Sequence, residues 1–410
     1  MSRIKFVFSH RLAFSLENDA EIFAAVPAAP AVFLLRAEDP QAEPYVSKTA
    51  NLRRRLVRLL GQFNDRTKKL TLRERARWIE YTPTGSDFES AFLIYRVLRS
   101  IFPKSYSNRL RLRFAPFVKM HLDNPFPRAS VTTRLGKPGG GNLYYGPFPS
   151  RMAAEKFAND SLDFFKMRRC VDDLAPDPAF PGCIYSEMKM CLAPCFKGCT
   201  DEEYRGEVQR VQSYFDSAGE SLVRELSDER DRASNDLQFE NAAAVHARLE
   251  KLKPVLSQLP EIVHRIDKLN GVIIQPSAEP ESVALFSVDK GCISGPAAFS
   301  IGSQLMPGSK AVSMESRVQE AIAAIPPSAG SSVTEVMEHV AILKRWYYRS
   351  SRVGEMFFAD EKGGLPLRRI VRAVSRVYKG ERPDAEAVHG AQPDTPSGII
   401  ASGDSPGEPI

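Results

Sequence analysis

No apolar run in this sequence approaches the ~20 residues that a helix needs to cross a bilayer. The first nineteen residues, MSRIKFVFSHRLAFSLEND, lack the apolar core of a secretory signal. Both absences point to a cytoplasmic chain with no membrane partner. No internal repeat is present. The glycine cluster LGKPGGGN (135–142) lacks the Lys-Ser/Thr pair and the following helix of a P-loop, so it reads as a hairpin loop. Cysteine is scarce, six in 410 residues, yet five of them fall between positions 170 and 199. In a cytosolic chain that clustering favours a metal site over a disulfide framework. Cys292 stands apart and reads as core.

A length of 410 residues suits two or three domains at roughly 150 residues each. The net charge is only +6, but it is uneven: Asn51 to Arg77 holds ten Lys/Arg against two acids, Asp65 and Glu74. A second basic stretch runs through Lys104, Arg109, Arg111, Arg113 and Lys119. Two such clusters in one region are the electrostatic footprint of nucleic-acid binding. The plainer alternative is a solvated helix face.

Periodicity predicts a hairpin over 31–36 and 43–48, then a helix capped by Asn51 with Leu52, Leu56, Leu59, Leu60 and Phe63 on one side. A second helix is expected over 71–80 and a third over 88–102, ending before Pro103. A strand follows at 114–121, and Ser150 caps a helix over 151–166. Thr200 with Glu203 makes a capping box for a helix over 201–217. Two more helices are expected over 219–235 and 239–257, then a hairpin, VALFSV-DKG-CISG. A linker, AAIPPSAGSS, leads to a helix over 333–350. From Gly380 onward Pro, Gly, Ser and acids dominate, which predicts a disordered tail.

A metal-dependent nuclease must activate water, hold a cation and neutralise phosphate charge. Arg53, Arg54 and Arg55, with Lys48 before them and Arg58 one turn on, suit the last task at a helix N-terminus. The hydroxyl of Tyr45 stands beside them in sequence.

These segments resemble a known family. PAVFLL, YVSKTANLRRRL, SDFESAFLIYRVLRSIFPKSY and YYGPFPS are similar, in order, to motifs of the GIY-YIG nuclease half of the UvrC excinucleases. ASNDLQFENAAAVHARLEKL resembles that family's UVR motif, and the resemblance covers about residues 25–275. It implies a role in nucleotide excision repair with DNA as a partner. Tyr45, Lys48 and Arg55 would be site residues, and Arg53, Arg54 and Arg58 would add DNA contacts.

The departures from the pattern are specific. Phe33 stands where the family has its general-base tyrosine, Ser47 where it has a glycine, and Ile94 where it has the metal-binding glutamate. Glu89 lies five residues before Ile94, about 140° round the helix. A general base is worth roughly 10²–10⁴ in rate, and loss of the metal removes several kcal/mol more. The expectation is therefore a phosphate-holding remnant without a divalent metal. The competing readings are an active single-incision endonuclease and a metal-stabilised adaptor that binds only protein.

The cysteines are spaced C-x12-C-x7-C-x3-C at Cys170, Cys183, Cys191 and Cys195. Spacing alone leaves zinc and an iron–sulfur cluster open; the resemblance implies a 4Fe-4S cluster. Cys199 is a spare. Uncoordinated core cysteines are the plainer reading. The helix pair over 219–257 carries an apolar stripe of Leu222, Leu226, Leu237, Phe239, Ala243, Leu249 and Leu252. A lone hairpin is too thin to bury it. The resemblance implies docking, through Phe239, Ala243 and Leu249, on a UvrB-like helicase; packing within this chain is the alternative. The family's second, RNase H-like nuclease finds no counterpart, so the chain reads as a truncated relative.

The expected architecture is α/β: a degenerate GIY-YIG-type domain over 25–122 and a cysteine-rich metal module over 140–200. A helical region with the UVR-like hairpin (201–260) and a small α+β region of unknown role (268–378) follow, then the tail over 380–410.

Overall fold

The computed structural model describes residues 6–61, 68–137, 139–302, 313–327 and 332–381. The expected tail lies, beyond its first two residues, outside them. The fold is α/β, and among the described residues three four-stranded antiparallel sheets follow one another along the chain.

The first unit comprises β1 (His10–Ala13), α1 (Asp19–Ala25), β2 (Ala31–Ala37), β3 (Tyr45–Thr49), α2 (Leu52–Leu60), α3 (Lys68–Arg75), β4 (Ala76–Pro83) and α4 (Asp87–Ile101). Its strand order is β1-β4-β2-β3, which leaves β3 at an edge. Side chains alternate across a strand, and β2 is apolar on both faces because both are covered. Ala31, Phe33 and Leu35 pack with Leu52, Leu56, Leu59 and Leu60 of α2. Val32 packs on the other face with Leu93 and Val97 of α4. Asn51 caps α2 by accepting a hydrogen bond from the Arg54 N–H, and Ser86 caps α4 through the Glu89 N–H.

The expected helix over 71–80 is only half right. It ends at Arg75, and 76–83 form β4, an interior strand of the sheet. Ile79 and Tyr81 alternate with Glu80 and Thr82, and this period of two, rich in β-formers, overrode the helical pattern.

The second unit contains α5 (Tyr106–Leu110), β5 (Phe117–Met120), β6 (Ala129–Thr132), β7 (Leu143–Gly146) and α6 (Arg151–Leu162). It continues with α7 (Ile184–Glu187), α8 (Asp201–Asp216), α9 (Glu220–Asn235), α10 (Phe239–Ser257) and β8 (His264–Arg265). The strand order is β6-β5-β7-β8, so residues 117–120 sit in this second sheet rather than in a first unit running to 122. The Thr200–Glu203 capping box forms in both directions. Gly219 joins α8 to α9 at φ +94°, where a Cβ would lie 2.2 Å from Leu256 Cδ2.

The third unit has β9 (Gly271–Pro276), β10 (Ser282–Asp289), β11 (Cys292–Ser300), α11 (Met314–Ala323), α12 (Val333–Tyr347), β12 (Glu355–Phe358) and α13 (Leu367–Lys379). Its order is β11-β10-β9-β12. One face packs on α11 and α13 through Val272, Leu285, Val318, Ile370 and Val374. The other face, through Ala284, Phe286 and Ile293, joins a core that includes Val340 of α12 and Phe88, Phe92 and Tyr95 of α4. Helix α4 is thus a wall shared by the first and third units. Cys292 is buried in the third unit, in keeping with its reading as core.

Candidate nucleic-acid interface and cysteine cluster

The edge strand β3 positions the expected phosphate-holding residues, and its alternation divides them. Tyr45 packs with Phe33 at a ring separation of 6.0 Å, on the face covered by α2. Arg55 of α2 donates from Nη2 to the Tyr45 hydroxyl at 3.0 Å. Its Nε is buried without a hydrogen-bond partner. Lys48, an odd number of residues along, belongs with Val46 and Ile94 on the α4 side. Its Nζ lies 2.6 Å from Asp87 Oδ1. The structure therefore brings Tyr45 to Arg55 and Lys48 to Asp87, and places the two pairs on opposite faces of one edge strand.

The neighbouring arginines differ in availability. Arg53 donates to the carbonyls of Val26 at 3.0 Å and Ala24 at 3.1 Å, which caps the C-terminal end of α1 and commits its guanidinium to the protein. Arg54 and Arg58 are exposed, and their side chains have no ion-pair partner among the described residues. Phe33 is fully buried. Ile94 packs with Val32, Leu93, Val97 and Val46. Glu89 turns away from this surface and accepts from the Gly85 N–H at 2.8 Å. Burial pushes its carboxyl up to about 7, against the pull of that hydrogen bond and with help from Glu279.

Sequence reasoning missed two residues here. Asp87 bridges Lys48 and Arg349, the latter two residues past the end of α12, with Arg349 Nη1 2.5 Å from Asp87 Oδ2. No periodicity could have announced a contact across 262 positions. In the second basic stretch, Arg109 pairs with Glu43 at 2.8 Å and stacks over Phe102. Arg111 and Arg113 are exposed.

The cysteine segment packs beside α8. Burial pushes the Cys191 thiol up to about 11; the Ala193 N–H opposes this, and the thiols of Cys170, Cys195 and Cys183 add to it. The Ala193 N–H donates to Cys191 Sγ at 3.3 Å, and Arg168 Nη1 lies 3.4 Å from Cys170 Sγ. Among the described residues no three His, Cys, Asp or Glu side chains close on a common centre. Cysteines of this type and number suit a four-thiolate metal group chemically, but the described residues do not bring them to one centre. Cys199 packs against the central core.

The stripe on α9 and α10 divides as well. Leu222, Leu226, Leu249 and Leu252 are buried in the chain's own core, so Leu249 faces inward. At the bend between the helices Leu237 is 72% exposed and Phe239 65% exposed; Ala243 is exposed too.

Residues 115–214, which carry β5, β6 and β7 of the second sheet, the cysteine segment and most of α8, match the family model described as UvrC/Cho excinuclease, middle domain. Over 211 residues, 52% of this chain and 32% of the relative, the sequence is 28% identical to the UvrABC system protein C of Rickettsia conorii. It is 29% identical over 230 residues to that of Rickettsia akari, covering 56% of this chain and 34% of the relative. It is 28% identical over 287 residues to that of Carboxydothermus hydrogenoformans, covering 69% of this chain and 46% of the relative. These matches span about a third to less than half of the relatives' length. No solved structure matches. With a UvrC middle-domain match lying on the unit that gathers the cysteines, and the matches to UvrABC system proteins covering more than half of the residues, the chain is a UvrC-like protein.

Proposed function

We propose that this chain is a DNA-binding protein of nucleotide excision repair whose first unit holds the phosphodiester backbone without cutting it. One observation carries the reading: the two positions at which the resembling family needs a phenol and a carboxylate are Phe33 and Ile94, and both lie in apolar packing. Neither can activate water nor hold a cation. The exposed Arg54 and Arg58 support backbone contact. Each neutralised phosphate adds about 0.9 to the slope of log K against log salt, so Arg54→Ala with Arg58→Ala should flatten it by about 1.8. Incubation of damaged duplex with Mg²⁺ or Mn²⁺, with and without a UvrB-type helicase, should give no nick. Metal-dependent nicking abolished by Arg55→Ala would return the active-endonuclease reading.

Cys170, Cys183, Cys191 and Cys195 would hold a 4Fe-4S cluster, with zinc as the alternative. Either would supply binding free energy that becomes folding free energy for a proline-rich segment. The exposed Leu237 and Phe239, at the bend of a hairpin whose base is buried through Leu222, Leu226, Leu249 and Leu252, support docking of that bend on a UvrB-like partner.

A further inference from the structure

Asp87 opens α4, where an acid suits the helix N-terminus. It also meets two cations, Lys48 from the edge strand β3 and Arg349 from the loop after α12. Its two oxygens are divided between them: Oδ1 to Lys48 Nζ at 2.6 Å and Oδ2 to Arg349 Nη1 at 2.5 Å. One cation comes from the first unit and the other from the third. Asp87 and Arg349 are well exposed, at 54% and 50%, and Lys48 is half-buried at 31%. Pairs so exposed contribute little to stability, a median near 0–1 kcal/mol. The arrangement therefore asks for another account.

A carboxylate giving one oxygen to an ammonium and the other to a guanidinium imitates the non-bridging oxygens of a phosphodiester. Lys48 lies on the same edge strand as Tyr45 but on its other face, so the cation pair would extend backbone contact round the edge of the sheet from the Tyr45–Arg55 side. The end of α12 adds Arg345 and Arg352 around Arg349, and Arg352 stacks over the Tyr347 ring at 4.5 Å. Basic character thus continues from the first unit onto the third.

We propose that Lys48 and Arg349 form a clamp for one phosphate of the DNA backbone, and that Asp87 occupies the clamp in the free protein and must be displaced for DNA to enter. The third unit, which had no role in the sequence reading, then contributes a DNA contact of its own. Asp87 lowers affinity and, because any backbone can displace it equally, acts without regard to sequence. The inference rests on the DNA-binding reading above and adds a site to it.

The test is fluorescence anisotropy of a labelled duplex with the full chain over a series of salt concentrations. Arg349→Ala should weaken binding and flatten the log K–log salt slope by about 0.9, one phosphate. Asp87→Asn should tighten binding about two- to tenfold, the range expected from freeing two exposed ion pairs. In the Arg349→Ala background Asp87→Asn should gain less, because only Lys48 remains to be freed. If Asp87→Asn does not fold, judged by its thermal melt, the slope change of Arg349→Ala decides alone. Wild-type binding that Arg54→Ala with Arg58→Ala weakens, but that Arg349→Ala leaves unchanged, overturns the clamp and keeps the DNA-binding reading. Weaker or unchanged binding by a folded Asp87→Asn also overturns it. No binding by the wild type overturns both.

Discussion

Replacing Glu338 by alanine should loosen the third unit from the first. Glu338, on α12, is almost wholly buried and accepts hydrogen bonds from the hydroxyls of Tyr95 and Tyr106, each at 2.9 Å. A hydrogen bond to a charged group is worth about 1.5–3 kcal/mol, so two represent about 3–6 kcal/mol gross. Two effects reduce that sum. Arg99 Nη1 still donates to the Tyr95 oxygen at 2.9 Å, and the cost of desolvating the carboxylate disappears. A net loss of about 2–4 kcal/mol follows, in line with the about 3–5 kcal/mol for breaking buried pairs. Glu338→Gln, whose amide can still accept from one phenol, should cost about half as much. Urea unfolding followed through Trp346, whose ring lies 5.1 Å from Phe88 at the same junction, reads the change directly. A cost below about 0.5 kcal/mol, typical of an unremarkable surface site, would refute the claim that this network joins α4 to α12.

Stability should depend on pH through two groups acting in opposite senses. Glu89 has its carboxyl raised from 4.5 to about 7 by burial, so its contribution is present at low pH and is lost as pH rises from about 4.5 to 7. His339 is lowered from 6.5 to about 4, again by burial, while its Nδ1 accepts from the Ile293 N–H; its contribution is lost as pH falls from about 6.5 to 4. Over the shared window the wild type should vary little, whereas Glu89→Gln and His339→Gln should show slopes of opposite sign in urea titrations. Cys191→Ser should remove bound metal, measured as iron and zinc per chain after anaerobic purification, and make residues 170–199 sensitive to protease; Cys199→Ser should do neither. Phe239→Ser should leave the melting temperature within a degree or two yet weaken capture of a UvrB C-terminal hairpin, whereas Leu252→Ala should cost about 2–5 kcal/mol as a core truncation.

The features legible in the sequence were those that local chemistry decides. Asn51, Ser150 and Thr200 cap the helices assigned to them, and α9 and α10 begin within a residue of their expected starts. Strand β4 was missed because its neighbour α3 blends into it without a glycine or proline to mark the change. Strand β12 is short, and what makes it a strand is pairing with β9 across a long separation; β9 itself pairs along its whole length with β10. Helix α13 carries Ile370, Ala373, Val374 and Val377 at helical spacing, a signal strong enough to have been found. For the candidate site, residue types were readable but faces were not. That Tyr45 and Lys48 fall on opposite faces follows from their odd spacing on β3; what covers each face, α2 on one and α4 on the other, only tertiary packing fixes. Likewise Arg53 looked as available as Arg54 until α1 was placed beneath it.

The packing around Phe33 and Ile94 also works as an evolutionary ratchet. A glutamate at position 94, half-buried beside Val32, Val46, Leu93 and Val97, would lose part of its water and the apolar contacts of the isoleucine. A tyrosine at position 33 would push a hydroxyl into a sealed core, at about 1–3 kcal/mol if it found no partner. Either step alone brings no catalysis, because base and metal are needed together, and each draws on a total stability of only about 5–15 kcal/mol. The neighbours would have to change first, in the opposite order from that in which selection for cutting could reward them. If the first unit binds without cutting, as proposed, the interior around these two positions makes a return to cutting a matter of several coupled changes rather than one.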